Sequence, residues 1–239
     1  MTRIARLDGT PPLEIALRRS AQARRFSLRV SRLDGRVTLT LPHHAREAEA
    51  LAFARGKDGW IRQVLVQMGF GPGAVAEPGL RFGDAVPFEG RALVLTPAAI
   101  RSPRVEGGAL LMPADPARVA ARLTAFLKLA ARDRLTEASD RHAAALGLRY
   151  SRITLRDTRS RWGSCTSDGA LMYSWRLVLA PPEVLDYVAA HEVAHLAEMN
   201  HSPAFWAVVA RLMPDYARHR AWLRAEGATL HRLRLHADS

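Results

Sequence analysis

Five residues limit what this chain can become more than any others: His191-Glu192-Val193-Ala194-His195, an H-E-x-x-H pattern. Pro182 and the apolar residues after it read as the start of a helix running to about Met199. On a helix four residues turn through about 400°, so His191 and His195 stand one turn apart on one face and can aim imidazole nitrogens at a single ion. Glu192 lies about 60° around from His195, beside that ion without ligating it, where a carboxylate can hold and deprotonate a water.

A third ligand follows from the ending of that helix. His201 comes ten residues after His191, the offset at which metzincin proteases place their third histidine after the helix has stopped. Asn200 tolerates the left-handed conformation that ends a helix, and Ser202-Pro203 reads as the N-cap and first-turn proline of the next. His201 then sits in the tight connection and can swing back toward the first two histidines. Three neutral imidazoles leave a fourth coordination position open, as in a catalytic rather than a structural zinc site. His43, His44, His142, His219, His231 and His236 have no ligand spacing and are expected to be exposed or merely packed.

Composition narrows the chemistry further. A single cysteine, Cys165, excludes an intrachain disulfide and any multi-thiolate metal site, so metal binding must use His, Asp and Glu. The 35 basic residues against 23 acidic ones give a formal charge of +12, which favours nucleotides, nucleic acid or anionic surfaces as partners. Only Lys57 and Lys128 are lysines, and an arginine skew of that kind also arises from compositional drift. No run of 18 apolar residues occurs and residues 1–8 lack a signal peptide's apolar block, so a cytoplasmic protein with no membrane partner is expected.

The chain reads as α+β in two parts. Residues 1–113 are expected to be β-rich, with one hairpin and one helix. Phe26 to Leu41 alternates apolar and polar residues around Asp34-Gly35, the hairpin signal. Ala45 to Met68 carries a helical stripe of Leu51, Ala54, Ile61, Leu65 and Met68, and Gly71, Pro72, Gly73, Pro78 and Gly79 end it. Short strands are expected around residues 81–82, 86–89, 92–96 and 110–112. Residues 114–239 are expected to be mostly helical and to hold the metal site. Asp115-Pro116 opens a long helix as N-cap and first-turn proline, with Val119, Leu123, Phe126, Leu127 and Ala130 buried and Gly147 as its stop. Strands over 152–156 and 170–179 precede the metal-binding helix, and helices over 203–213 and 215–227 follow it. No internal repeat is evident.

Three stretches, 156–165 (RDTRSRWGSC), 175–182 (WRLVLAPP) and 191–206 (HEVAHLAEMNHSPAFW), resemble the YgjP-like zinc metallopeptidases, relatives of the SprT-like proteins. The likeness is close over about 151–216. It implies a zincin-like domain with one zinc ion on His191, His195 and His201 and with Glu192 as catalytic acid/base. Glu198 stands where metzincins carry glycine, so the chain departs from the metzincin pattern proper.

Around this centre other residues have competing readings. Arg159 and Arg161 suit bidentate binding of a substrate carboxylate or phosphate, and equally suit pairing with Asp157 or a solvated turn. Trp162 is expected in the core and Cys165 as a small buried residue rather than a fourth ligand. Tyr173, Tyr216 and Asn200 are candidates to stabilise an oxyanion, with no spacing rule to choose among them. The function expected is hydrolysis of peptide or protein substrates by metal-activated water. The alternatives are a metal-dependent hydrolase of nucleoside triphosphates and a DNA-associated protease or binding module.

Overall fold

The computed structural model describes residues 3–31, 35–68, 70, 80–233 and 235. The chain divides into two compact units, residues 1–77 and 78–239.

In the first unit, β1 (Arg3–Leu7), β2 (Leu13–Ser20), β3 (Ser27–Val30) and β4 (Val37–Pro42) form a sheet of order β1-β2-β4-β3. Period-two alternation buries Leu13, Ile15 and Leu17 from β2 and Val37, Leu39 and Leu41 from β4 on one face. The expected hairpin is present as the antiparallel β3–β4 pair. Gly35 adopts φ +66 there, whereas Asp34 lies outside the described residues. The helix expected over 45–68 is two helices, α1 (Glu47–Arg55) and α2 (Asp58–Gln67). The break falls at Gly56-Lys57, where glycine weakens the helix. Ala50, Ala54, Ile61 and Leu65 complete this unit's core. The glycines and prolines over 71–79 lie outside the described residues.

The second unit begins with a sheet of order β5-β6-β8-β7, built from β5 (Ala85–Phe88), β6 (Arg91–Ala98), β7 (Arg104–Glu106) and β8 (Ala109–Pro113). Residues 81–82, expected in a strand, belong to a turn in which the Arg81 amide donates to Asp84. A 3-10 turn at Pro116–Arg118 leads into α3 (Val119–Leu146), a helix that Gly147 ends at φ +68. Asp115 stands at the N-terminal boundary, but its carboxylate caps no amide; it lies 3.7 Å from Arg118 and 3.6 Å from Arg122.

The division between units therefore lies upstream of the boundary expected at 113/114. The reason is packing: Val86, Phe88, Leu93, Leu95, Leu110 and Met112 share one core with α3. The β5–β6 turn is also tied down, since the Glu89 and Gly90 amides donate to the Val178 and Leu179 carbonyls. A strand-based reading of residues 80–113 sees a β-rich segment and misses whose core it fills.

A third sheet has order β10-β11-β9, from β9 (Arg152–Arg156), β10 (Gly163–Cys165) and β11 (Ala170–Ser174). The β segment expected to reach residue 179 stops at Ser174 and continues as a 3-10 turn over Trp175–Leu179. Then come α4 (Pro182–Ala194), α5 (Pro203–Leu212) and α6 (Tyr216–Glu226), and a 3-10 turn at Gly227–His231. The two four-stranded sheets share one topology: in each, the second strand pairs parallel with the fourth, and antiparallel pairs flank them. Sequence shows no repeat because pairing sense, not residue identity, is what recurs. No helix among the described residues is long and apolar enough to cross a membrane.

Candidate metal centre

Pro182 occupies the first turn of α4, where its missing N–H costs nothing. The helix is buried over Val184, Leu185, Val188, Ala189, Ala190, Val193 and Ala194, which fixes its rotation. That rotation sets His191 and Glu192 toward β10. The helix ends at Ala194 rather than near Met199, with His195 at the C-cap. Amides of residues 196–198 donate to the Val193 and Ala194 carbonyls as the turn tightens. Asn200 is not among the positive-φ residues, so no left-handed residue is needed for this reversal. Its carbonyl accepts from the Ser202 amide at 2.7 Å, and Ser202 Oγ then caps α5 by accepting from the Phe205 amide at 3.3 Å.

These turns bring the three histidines together. Their ring centroids lie 5.2 Å (191–195), 5.0 Å (191–201) and 4.8 Å (195–201) apart. One candidate ligand atom from each falls within 4.8 Å of the others, and Nε2 of His191 and His201 approach to 3.1 Å. Phe205, fully buried, touches all three rings at centroid distances of 4.9, 4.4 and 4.7 Å. Phe205 thus packs behind the three imidazoles and holds their rings.

The donor chemistry fits a cation. His195 Nδ1 lies 3.0 Å from the Glu198 carbonyl, an obligate acceptor, so Nδ1 carries the proton and Nε2 keeps its lone pair. Burial, and then the neighbouring histidines, hold His191 far below the usual imidazole range, at about 3, so it too is neutral at pH 7. Burial also lowers His195. His191 Nδ1 is buried without a partner among the described residues; contacts with Phe205, Trp206 and Tyr187 hold that ring instead. With zinc–imidazole bonds of about 2.0–2.1 Å, nitrogens in a tetrahedral shell sit a little over 3 Å apart. The 191–201 pair already meets that separation.

Glu192 is buried, and burial pushes its carboxyl up to about 8 while the charge of Arg161 pulls it down. Gly163 makes the room: a Cβ built there would stand 2.5 Å from Glu192 Cγ and Oε1. Sequence reasoning passed over Gly163, whose signal was only its place beside Trp162 in the 156–165 stretch. Gly163→Ala is expected to displace the Glu192 carboxylate and lower turnover by about tenfold or more while metal stays bound, since a misplaced catalytic group costs rate steeply. Paired activity and metal assays check this; unchanged activity would contradict it.

The other expected residues are distributed as follows. Gly163, Ser164 and Cys165 of β10, with His191, Glu192, His195, Met199 and His201, line a pocket of about 240 Å3. Burial pushes the Cys165 thiol up to about 11, and its sulfur is not part of the three-histidine group. Arg161 is exposed on the loop entering β10 and acts on Glu192, whereas the charge of Arg159 acts on Asp157 and His231. Asp157 is held by Arg176, whose guanidinium donates to it at 2.7 and 3.0 Å and to the Leu230 and Leu233 carbonyls. That tie, which sequence reasoning did not foresee, braces the loop against the C-terminal segment.

Trp162 packs against the core and stacks near His231 at 4.9 Å. Tyr173 is fully buried and bonded to Ser139 at 3.0 Å, away from the pocket, so it is no oxyanion donor. Tyr216 stacks between Trp206 and Tyr187, and Asn200 is exposed. Of the remaining histidines, His43 and His44 are exposed, His142 bonds Asp186, His219 bonds Asp215, and His236 lies outside the described residues.

Two imidazoles from one helix end and a third from the following turn form a group that could hold a metal ion, with the Glu192 carboxylate beside them. A family model described as YgjP-like, metallopeptidase domain, matches residues 24–226, and the chain belongs to that family. Its domain is a metallopeptidase domain, as the resemblance of the three motifs implied. No curated protein matches the chain. Among solved structures it is similar to the crystal structure of the metallopeptidase zymogen of Pyrococcus abyssi abylysin, at 18% identity and a TM-score of 0.35. That similarity covers 38% of this chain and 95% of the other.

Proposed function

We propose that the chain is a zinc-dependent peptidase in which His191, His195 and His201 hold one zinc ion and Glu192 is the general base. The observation that carries this reading is the convergence of three imidazole donors within 4.8 Å beside buried Glu192. Three neutral imidazoles with a fourth position left open are the kind of set that catalytic zinc takes. When bound, zinc supplies Lewis acidity, polarising a carbonyl and making water acidic near neutral pH.

The chain's own residues do the rest. Glu192 takes a proton from the attacking water on a carboxylate oxygen and passes it to the leaving amine nitrogen. β10 is an edge strand that lines the pocket, so its free edge offers backbone donors and acceptors to an extended peptide. This edge supports a polypeptide over a nucleotide as substrate. Arg161, whose charge acts on Glu192, is assigned to substrate oxygens at the pocket rim. Arg159 contributes to the same loop through Asp157.

The test is digestion of a diverse peptide mixture with new termini read by mass spectrometry. Cleavage that a chelator abolishes and about one equivalent of zinc restores is the expected result. Turnover confined to nucleoside triphosphates, with no peptide cut, would overturn the peptidase reading.

A further inference from the structure

One strongly basic feature lies next to the metal centre and takes no part in the chemistry above. Tyr216, Arg220 and Arg224 follow one another at successive turns of α6, and Ala217, Ala221 and Ala225 form a parallel row beside them. The two rows make up one open face of this helix. The alanines leave space above the helix while the arginines supply charge. Trp206 lies between this face and the histidines: its ring centroid is 5.9 Å from that of His201 and 5.7 Å from that of His191, and the Arg220 guanidinium carbon lies 4.4 Å from the same ring.

Several other arginines of this unit are held in ion pairs. Arg134 pairs with Glu89, Arg141 with Asp186 and Arg176 with Asp157. Arg220 and Arg224 make no ion pair among the described residues. Arg220 is held in place by stacking on Trp206, so part of the entropy of ordering its long side chain is already spent. Its charge also reaches His191 and Tyr187, consistent with a position at the rim of the centre.

We propose that Arg220 and Arg224 form an acidic-peptide subsite beside the metal centre, which selects polypeptide segments carrying carboxylates to one side of the scissile bond. This deepens the peptidase reading and rests on it. Side chains one helical turn apart are about 5–6 Å from each other, close to the about 6.6–6.8 Å between alternate residues of an extended strand. Two acidic residues at alternate positions therefore match the arginine row. A nucleic acid fits less well, because single strands need free aromatic faces on which to stack bases. Here Tyr216 stacks with both Trp206 and Tyr187, and Arg220 covers Trp206.

The experiment uses zinc-loaded protein carrying Glu192→Gln, so that binding is read without turnover. Fluorescein-labelled peptides with Asp and Glu at alternate positions are compared by anisotropy with matched Asn and Gln peptides. About tenfold tighter binding of the acidic peptide at low salt is expected, shrinking as salt rises. The preference should fall below about twofold in Arg220→Gln/Arg224→Gln, persist in Arg220→Lys, and turn toward Lys-containing peptides in the double Glu variant. Arg224→Gln alone, at an exposed side chain, keeps the test informative if changes at Arg220 disturb folding.

Equal binding of acidic and neutral peptides, or a preference that survives the double Gln variant, would overturn the subsite. Tighter binding of single-stranded DNA than of the acidic peptide, lost in the same variant, would overturn it in favour of a nucleic-acid surface. The wild-type enzyme separates the two levels. Cleavage of acidic and neutral peptides with equal efficiency removes the subsite and leaves the peptidase, whereas acidic-peptide binding without cleavage of any peptide removes the peptidase and leaves the subsite.

Discussion

Glu192→Gln is expected to retain about one zinc per chain while losing about 10³-fold or more in peptide hydrolysis, the range that removing a general base costs. The substitution preserves size and removes the basic carboxylate oxygen, so the fold and the imidazole donors are untouched. Gly163 leaves room for a side chain of this length, and an amide occupies the same space. Metal analysis alongside a peptide assay checks both halves of the expectation. Loss of zinc in this variant would mean that Glu192 is a ligand, and the division of roles would be wrong.

His201→Ala is expected to weaken metal binding by more than about 100-fold, beyond the about 10–100-fold that losing a hydrogen-bond partner behind a ligand costs. His201 is the exposed member of the set and lies outside α4, so its removal leaves that helix and Phe205 in place. Cys165→Ser, in contrast, should bind metal as the parent does, since the thiol stands outside the three-histidine group. Competition with a chromophoric chelator measures both variants. Tight binding that survives in His201→Ala, or fails in Cys165→Ser, would exchange the roles assigned to these residues.

The convergence of the three histidines was legible because their spacing is local. A helix fixes His191 against His195 by spacing alone, and Ser202-Pro203 announces the next helix, so His201 has few places to go. The route differed from the expectation in detail: α4 stops at Ala194, and ordinary right-handed turns, rather than a left-handed Asn200, make the reversal. What sequence concealed depends on residues distant along the chain. Gly163 matters because Glu192 approaches it, and Arg176 because Asp157 and the Leu230 and Leu233 carbonyls meet there. Periodicity describes what one element buries and is silent about which element covers it. The same limit explains residues 80–113, whose strands were read as strands but whose core belongs with α3.

Zinc-edge X-ray absorption on protein purified without added metal tests the central claim most directly. The account predicts imidazole nitrogens at about 2.0–2.1 Å, with scattering that His201→Ala diminishes. A sulfur shell at about 2.3 Å, or a spectrum that does not change when His201 is removed, would contradict it.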